Sequence, residues 1–426
     1  MRLTATARSI AVRALVLSST AVLSPTAQAQ SPTTSPAPRH FDFRARPAPG
    51  ATPVAAGRTY ADGYGYQPAD PHLFSVALPD GNYRVTVTLG DARAAAVTTI
   101  KAESRRLMLD AVSTRPGRFV TRSFVVNVRR PDLAPPPPNA PGGSAVRLKP
   151  REQGAYDWND RLTLEILGDH PALAAVAIEP AAVPTLFLLG DSTVTDQPAE
   201  PAASWGQMLP AFFGDRIAVA NHAESGETLK SFVTELRLDK VLASAKPGDW
   251  AMIQFGHNDQ KVQWPQTYAE AATTYRSYLR TFIAELRRRG VSPILVTSPE
   301  RRNWTADGHI RPTLADYAAA MREVAAAEGV PLLDLNAGTI RFYEALGPAR
   351  APLAFNDGGR DATHHDNYGA WVLARIVVQD VRASVPALTA LLRPDLAAFD
   401  PAHPPAPETF RFAPSAATSA IRPAGS

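Results

Sequence analysis

Residues 185–193 read Thr-Leu-Phe-Leu-Leu-Gly-Asp-Ser-Thr. Leu186 to Leu189 form an unbroken apolar run that stops at Gly190, the pattern of a parallel strand buried on both faces and ended by a sharp turn. Ser192 then stands just past the strand. In open α/β sheets ligands bind outside the carboxyl ends of the strands, so a hydroxyl delivered to that edge is placed to act as a nucleophile. Taken alone, Gly-Asp-Ser is also an ordinary turn, chosen for backbone reasons.

Three later segments bear on that choice. Asn-His-Ala-Glu-Ser-Gly, residues 221–226, follows a strand-like run from Ile217 to Ala220, and Phe-Gly-His-Asn-Asp, residues 255–259, follows another from Trp250 to Gln254. Both reach the sheet edge that carries Ser192. Further on comes Asp361-Ala362-Thr363-His364, an acid and an imidazole three residues apart, which one turn-like step can bring to the same side.

With these four blocks in order, the chain resembles the SGNH (GDSL) hydrolase family, named for Ser, Gly, Asn and His, here Ser192, Gly226, Asn258 and His364. Thr193 stands where that family usually has leucine. Gly-Asp-Ser-Thr, together with Asn-x-Ala-x-x-Gly and Gly-His-Asn-Asp, is the pattern of the rhamnogalacturonan acetylesterase-like branch. The resemblance implies a flavodoxin-like three-layer α/β/α domain with a parallel sheet, preceded by an all-β, galactose-binding-like sandwich.

Along the chain, residues 1–29 carry Arg2, Arg8 and Arg13 around an apolar stretch that ends in Ala27-Gln28-Ala29, the signature of an export signal cleaved before Gln30. A Ser/Thr/Pro linker covers 30–38. Residues 39–180 alternate with a period of two, most clearly over Tyr83–Leu89, Phe119–Val128 and Arg161–Ile166, and the proline-rich insertion 131–143 is expected to be an exposed loop. The aromatic residues of Tyr60–Tyr66 could stack on sugars or pack in a core. From 184 to 395, strands at 185–189, 217–221, 250–255, 292–297 and 331–335 alternate with helices at 204–213, 268–289, 316–328 and 368–381. The Pro/Ala-rich tail, 396–426, is expected to wrap irregularly or to be disordered.

Composition narrows the function. The formal charge of +4 over 426 residues, with no basic run interleaved with aromatics, gives no reason to expect nucleic acid. No window is long and apolar enough for membrane insertion. With no cysteine, thiol nucleophiles and thiolate metal sites are excluded. His364-His365-Asp366 lacks a companion metal motif, so neither metal nor cofactor is expected.

A serine hydroxyl needs a base within hydrogen-bond reach, itself oriented by a third group. His364 is the candidate base and Asp361 the orienting carboxylate. The family resemblance selects His364 over His365, and it assigns the oxyanion donors to the backbone N–H groups of Ser192 and Gly226 and the side chain of Asn258. Asp191, His257 and Asp259 are read as supporting residues, and Trp264 and Trp304, in loops after the third and fourth strands, as candidate groove walls. The expected function is a secreted (periplasmic or extracellular) carbohydrate esterase that takes acetyl groups from a pectic polysaccharide. The alternatives are another polysaccharide such as xylan, a general lipid or aryl esterase, and a non-catalytic carbohydrate-binding protein. Oligomeric state is not legible.

Overall fold

The computed structural model describes residues 36–425, which form one compact unit; the expected export signal and most of the linker lie outside them. The first half is built of strands. One antiparallel sheet orders Tyr64–Gln67, Asp70–Ala77, Arg161–Leu167, Ala96–Ala102 and Arg106–Thr114. Facing it are Arg39–Asp42, Leu173–Pro180, Gly81–Leu89 and Val120–Val128. The period of two has a direct cause. Tyr83, Val85, Val87 and Leu89 point into a core shared with Phe74, Ile100, Phe124 and Leu164, while Arg84, Thr86 and Thr88 alternate outward. Residues 131–143 are irregular and mostly exposed, as their prolines predict.

The second half is parallel. Its strands run in the order Leu332–Leu333, Ser292–Val296, Trp250–Gln254, Thr185–Gly190 and Ala218–Asn221. In chain order this is 2-1-3-4-5, the doubly wound, flavodoxin-like topology. Each strand is covered on both faces. Leu186 and Leu188 pack with Val372, Leu373 and Phe342 from helices Asn367–Ser384 and Leu335–Arg350. Phe187 and Leu189 pack with Phe232, Phe282 and Met321 from helices Leu229–Thr234, Arg276–Arg287 and Ala315–Glu328 on the other side. Two-sided burial is why residues 186–189 carry no polar alternation.

The two halves share a sheet. Val126 of the β-rich half pairs in parallel with Val219, joining nine of the strands above and the short Thr52–Pro53 into ten. The tail beyond 395 is irregular but held: Ser415 bonds Glu165, Glu200 and Lys101, and residues 417–419 bridge the backbone of Glu200. Among the described residues no helix is long and apolar enough to cross a membrane.

Candidate active site

The switch point of the sheet lies at strand Thr185–Gly190, whose neighbours on its two sides are the second and third strands of the half. Ser192 sits in the turn just beyond it, closed by N–H donation from Val194 and Thr195 to the Asp191 carbonyl, both 3.0 Å. The Ser192 Oγ lies 2.8 Å from His364 Nε2, and His364 Nδ1 lies 2.8 Å from Asp361 Oδ2. The Asp361 Oδ1 accepts the N–H groups of Thr363 (2.8 Å) and His364 (3.0 Å), so the carboxylate that orients the ring also shapes the turn presenting it. Burial alone would raise the pKa of Asp361. The hydrogen bond and charge of His364 and the two backbone N–H groups outweigh it and hold the carboxyl well below its usual range.

The other two blocks arrive at the same edge. Gly226 has φ +82°, and a Cβ there would clear its neighbours, with Lys149 Nζ nearest at 3.7 Å. It is the backbone conformation, not space, that asks for glycine. Asn258 is fully buried beside it; its Nδ2 donates to the Glu227 carbonyl at 3.0 Å, leaving a second N–H on the same nitrogen.

Residues 188–372, which span this constellation, match the GDSL-like Lipase/Acylhydrolase family. Over 209 residues the chain is 37% identical to the rhamnogalacturonan acetylesterase RhgT of Bacillus subtilis (strain 168), covering 88% of that protein and 46% of this one. The chain belongs to the GDSL-like lipase/acylhydrolase family. It is a carboxylic-ester hydrolase. A longer match, 28% identical over 316 residues, is to the uncharacterized esterase YxiM of Bacillus subtilis (strain 168), with 73% of this chain and 74% of that one covered. The crystal structure of the Bacillus subtilis YxiM protein is similar with a TM-score of 0.46 and 25% identity, over 82% of this chain and 98% of that one.

Within this SGNH hydrolase the remaining candidates separate by contact. Asp191 Oδ1 accepts the N–H (3.0 Å) and hydroxyl (2.9 Å) of Thr193, bracing the turn that carries Ser192. His257 Nδ1 lies 3.4 Å from Asp191 Oδ2, and burial pushes this imidazole below its ordinary value despite the carboxylate. Asp259 Oδ1 accepts the Leu229 N–H at 2.9 Å, and burial raises its carboxyl to about 7. His365 does not meet Ser192; its Nε2 meets the Tyr343 hydroxyl at 2.7 Å. Trp264 is about one-third exposed beneath the Lys261 ammonium, 4.2 Å from its ring centroid. Trp304 packs against the core that holds Leu186. In the β-rich half, Tyr64 and Tyr66 join Phe41, Phe43 and Phe74 in an aromatic cluster, so that part of the 60–66 stretch packs in the core.

Further contacts support the site. The Thr193 hydroxyl donates to Asp191 and accepts from Gln254 Nε2 (3.0 Å), contacts that the leucine usual in GDSL hydrolases could not make. Asn221 Nδ2 bonds the Val194 carbonyl (2.7 Å) and Asp196 (2.9 Å). The β-rich half grips the loops that carry Ser192 and Gly226. Arg106 pairs with Asp196 at 2.7 Å, and Arg105 donates to the carbonyls of Gln197 (3.0 Å) and Ala202 (2.9 Å). On the Gly226 loop, Lys149 and Arg151 both donate to the Ser225 carbonyl, at 2.9 and 2.6 Å, and pair with Glu227 and Glu224. These partners come from 70 or more positions away in sequence, which is why spacing could not find them.

Proposed function

We propose that the protein is an exported carbohydrate acetylesterase that removes O-acetyl groups from a pectic polysaccharide of the rhamnogalacturonan type. The observation that carries the chemistry is the unbroken relay Ser192–His364–Asp361, each step 2.8 Å. The substrate class is supported by the likeness to a rhamnogalacturonan acetylesterase, and export by the charged, apolar and small-residue pattern of residues 1–29.

The steps follow from the atoms present. Ser192 Oγ adds to the acetyl carbonyl carbon while His364 Nε2 takes its proton; Asp361 keeps the ring in the tautomer that can accept it. The carbonyl oxygen becomes an anion, for which the N–H groups of Ser192 and Gly226 and the free N–H of Asn258 are the donors; loss of one such donor costs about two to three orders of magnitude in rate. Collapse expels the sugar hydroxyl, protonated by His364, and leaves acetyl-Ser192. Water, deprotonated by His364, then attacks the acetyl carbon, and acetate leaves as Ser192 regains its proton. The scheme consumes water and needs no cofactor.

The test is acetate release from acetylated rhamnogalacturonan, acetylated xylan and an aryl acetate by the wild type and Ser192→Ala. Release from the pectic polymer in preference to xylan, lost in the variant, is the expected result. Preference for xylan would keep the mechanism and overturn the substrate. No Ser192-dependent release from any of the three would point to a binding protein.

A further inference from the structure

The end of the described chain lies on the catalytic centre. Arg422 pairs with Asp357 at 2.8 Å, and the next residues turn inward. The Gly425 carbonyl accepts Lys261 Nζ at 2.8 Å. Gly425 approaches Asn258 so closely that a Cβ would stand 2.7 Å from its Oδ1, and the Ala424 Cβ lies 3.8 Å from the Cβ position of Gly226. Residues 424–425 therefore stand against both loops that carry the oxyanion donors. Ser192 and His364 are each only 1% exposed. An acetyl group whose oxygen is held by Asn258 and the Gly226 N–H comes up against this segment, so the groups the segment touches are groups the sugar will meet.

Lys261 is notable among them. It follows the Asn258 block on a loop that also exposes Val262 and Trp264, and its ammonium rides over the Trp264 ring. A compact cation beside an aromatic face suits an anionic sugar: the face stacks on the ring and the ammonium takes its carboxylate. A neutral backbone carbonyl is a weaker partner for an ammonium than a carboxylate, because a carboxylate adds the attraction of a full opposite charge to the hydrogen bond. A uronate can thus displace Gly425 where a neutral pentose has no equivalent gain. Burial lowers the Lys261 pKa to about 8; of the charged groups acting on it, Arg301 adds to that shift and Asp191 opposes it.

We propose that Lys261 is the carboxylate-binding group of a sugar subsite walled by Trp264, and that residues 422–425 occupy this subsite in the free enzyme. The ligand class is a uronate-containing chain, and the inference rests on the pectic reading above.

The experiment measures aryl acetate hydrolysis by the full chain with unacetylated oligosaccharides as inhibitors, one set rhamnogalacturonan-derived and acidic, the other xylan-derived and neutral. The acidic set is expected to inhibit competitively, with an inhibition constant about tenfold or more higher in Lys261→Gln and within about threefold of wild type in Lys261→Arg. Inhibition by the neutral set should not distinguish the three proteins. Deletion of residues 421–426, which leaves Lys261 in place, should tighten the acidic set. Equal inhibition of wild type and Lys261→Gln, or a deletion that leaves acidic inhibition unchanged or weaker, overturns the proposal. Because inhibition is read on the aryl ester, this answer is separate from the polymer assay, where failure to deacetylate rhamnogalacturonan would overturn the pectic reading itself.

Discussion

Arg106, on a strand of the β-rich half, forms a buried ion pair with Asp196, on the loop that follows Ser192. Asp196 also anchors Asn221 at the start of the loop that carries Gly226, so one guanidinium from outside the hydrolase sheet steadies two of its loops. Removing one partner of such a pair strands a buried charge and costs about 3–5 kcal/mol. Arg106→Leu should therefore lose stability of that order in urea unfolding, and residues 184–395 expressed alone should be poorly active on an aryl acetate. A variant of wild-type stability would contradict the coupling.

Asp361 acts through His364, so its effect should be kinetic. Asp361→Asn preserves shape but reverses the hydrogen bond to Nδ1, leaving Nε2 protonated and unable to accept from Ser192. A loss of about four orders of magnitude in kcat is expected, with KM for a small ester little changed. A loss carried by KM would place Asp361 in binding instead.

Thr193 makes the Ser192 turn of this enzyme polar. Thr193→Leu would leave Asp191 and Gln254 each short of a buried hydrogen bond, at a cost of about 1–3 kcal/mol, whereas Thr193→Ser keeps both. Denaturation midpoints of the two variants decide this; equal midpoints would contradict it.

Asp259 supplies a pH signature. Its carboxyl is raised from 3.8 to about 7 by burial, so between those values the folded protein holds a proton that the unfolded chain has released. That contribution to stability is complete below pH 4 and is lost as pH rises through 7. Asp259→Asn removes the titration while keeping an acceptor for the Leu229 N–H. The stability of the variant relative to wild type should rise from pH 4 to pH 8 in urea unfolding; a difference independent of pH would contradict the assignment.

How much of this was legible in the sequence depended on distance along the chain. Ser192, Gly226 and Asn258 each follow a strand whose two-sided burial leaves an unmistakable apolar run, and Asp361 and His364 are bound by their own three-residue spacing. All five parallel strands were found, though the last is only Leu332–Leu333 because Asp334 caps the helix that begins at Leu335. That helix has no counterpart among the expected ones; it is interrupted at Gly347, which is non-helical, and carries Pro348 inside it. Helices Leu229–Thr234 and Arg237–Ser244 were missed because they are too short to show a period. The Val126–Val219 pairing, the arginine clamps from the β-rich half and the seat of Gly425 on Asn258 are contacts between distant segments, for which no local pattern exists.

The most direct test of the account is to quench the enzyme during turnover of an aryl acetate and map acetylation by peptide mass analysis. One added acetyl group is expected on the peptide that bears Ser192, absent from Ser192→Ala and formed far more slowly in His364→Ala, which lacks the base for both acylation and water attack. Turnover with no acetyl-Ser192, or acetylation of another residue that Ser192→Ala leaves intact, would contradict it.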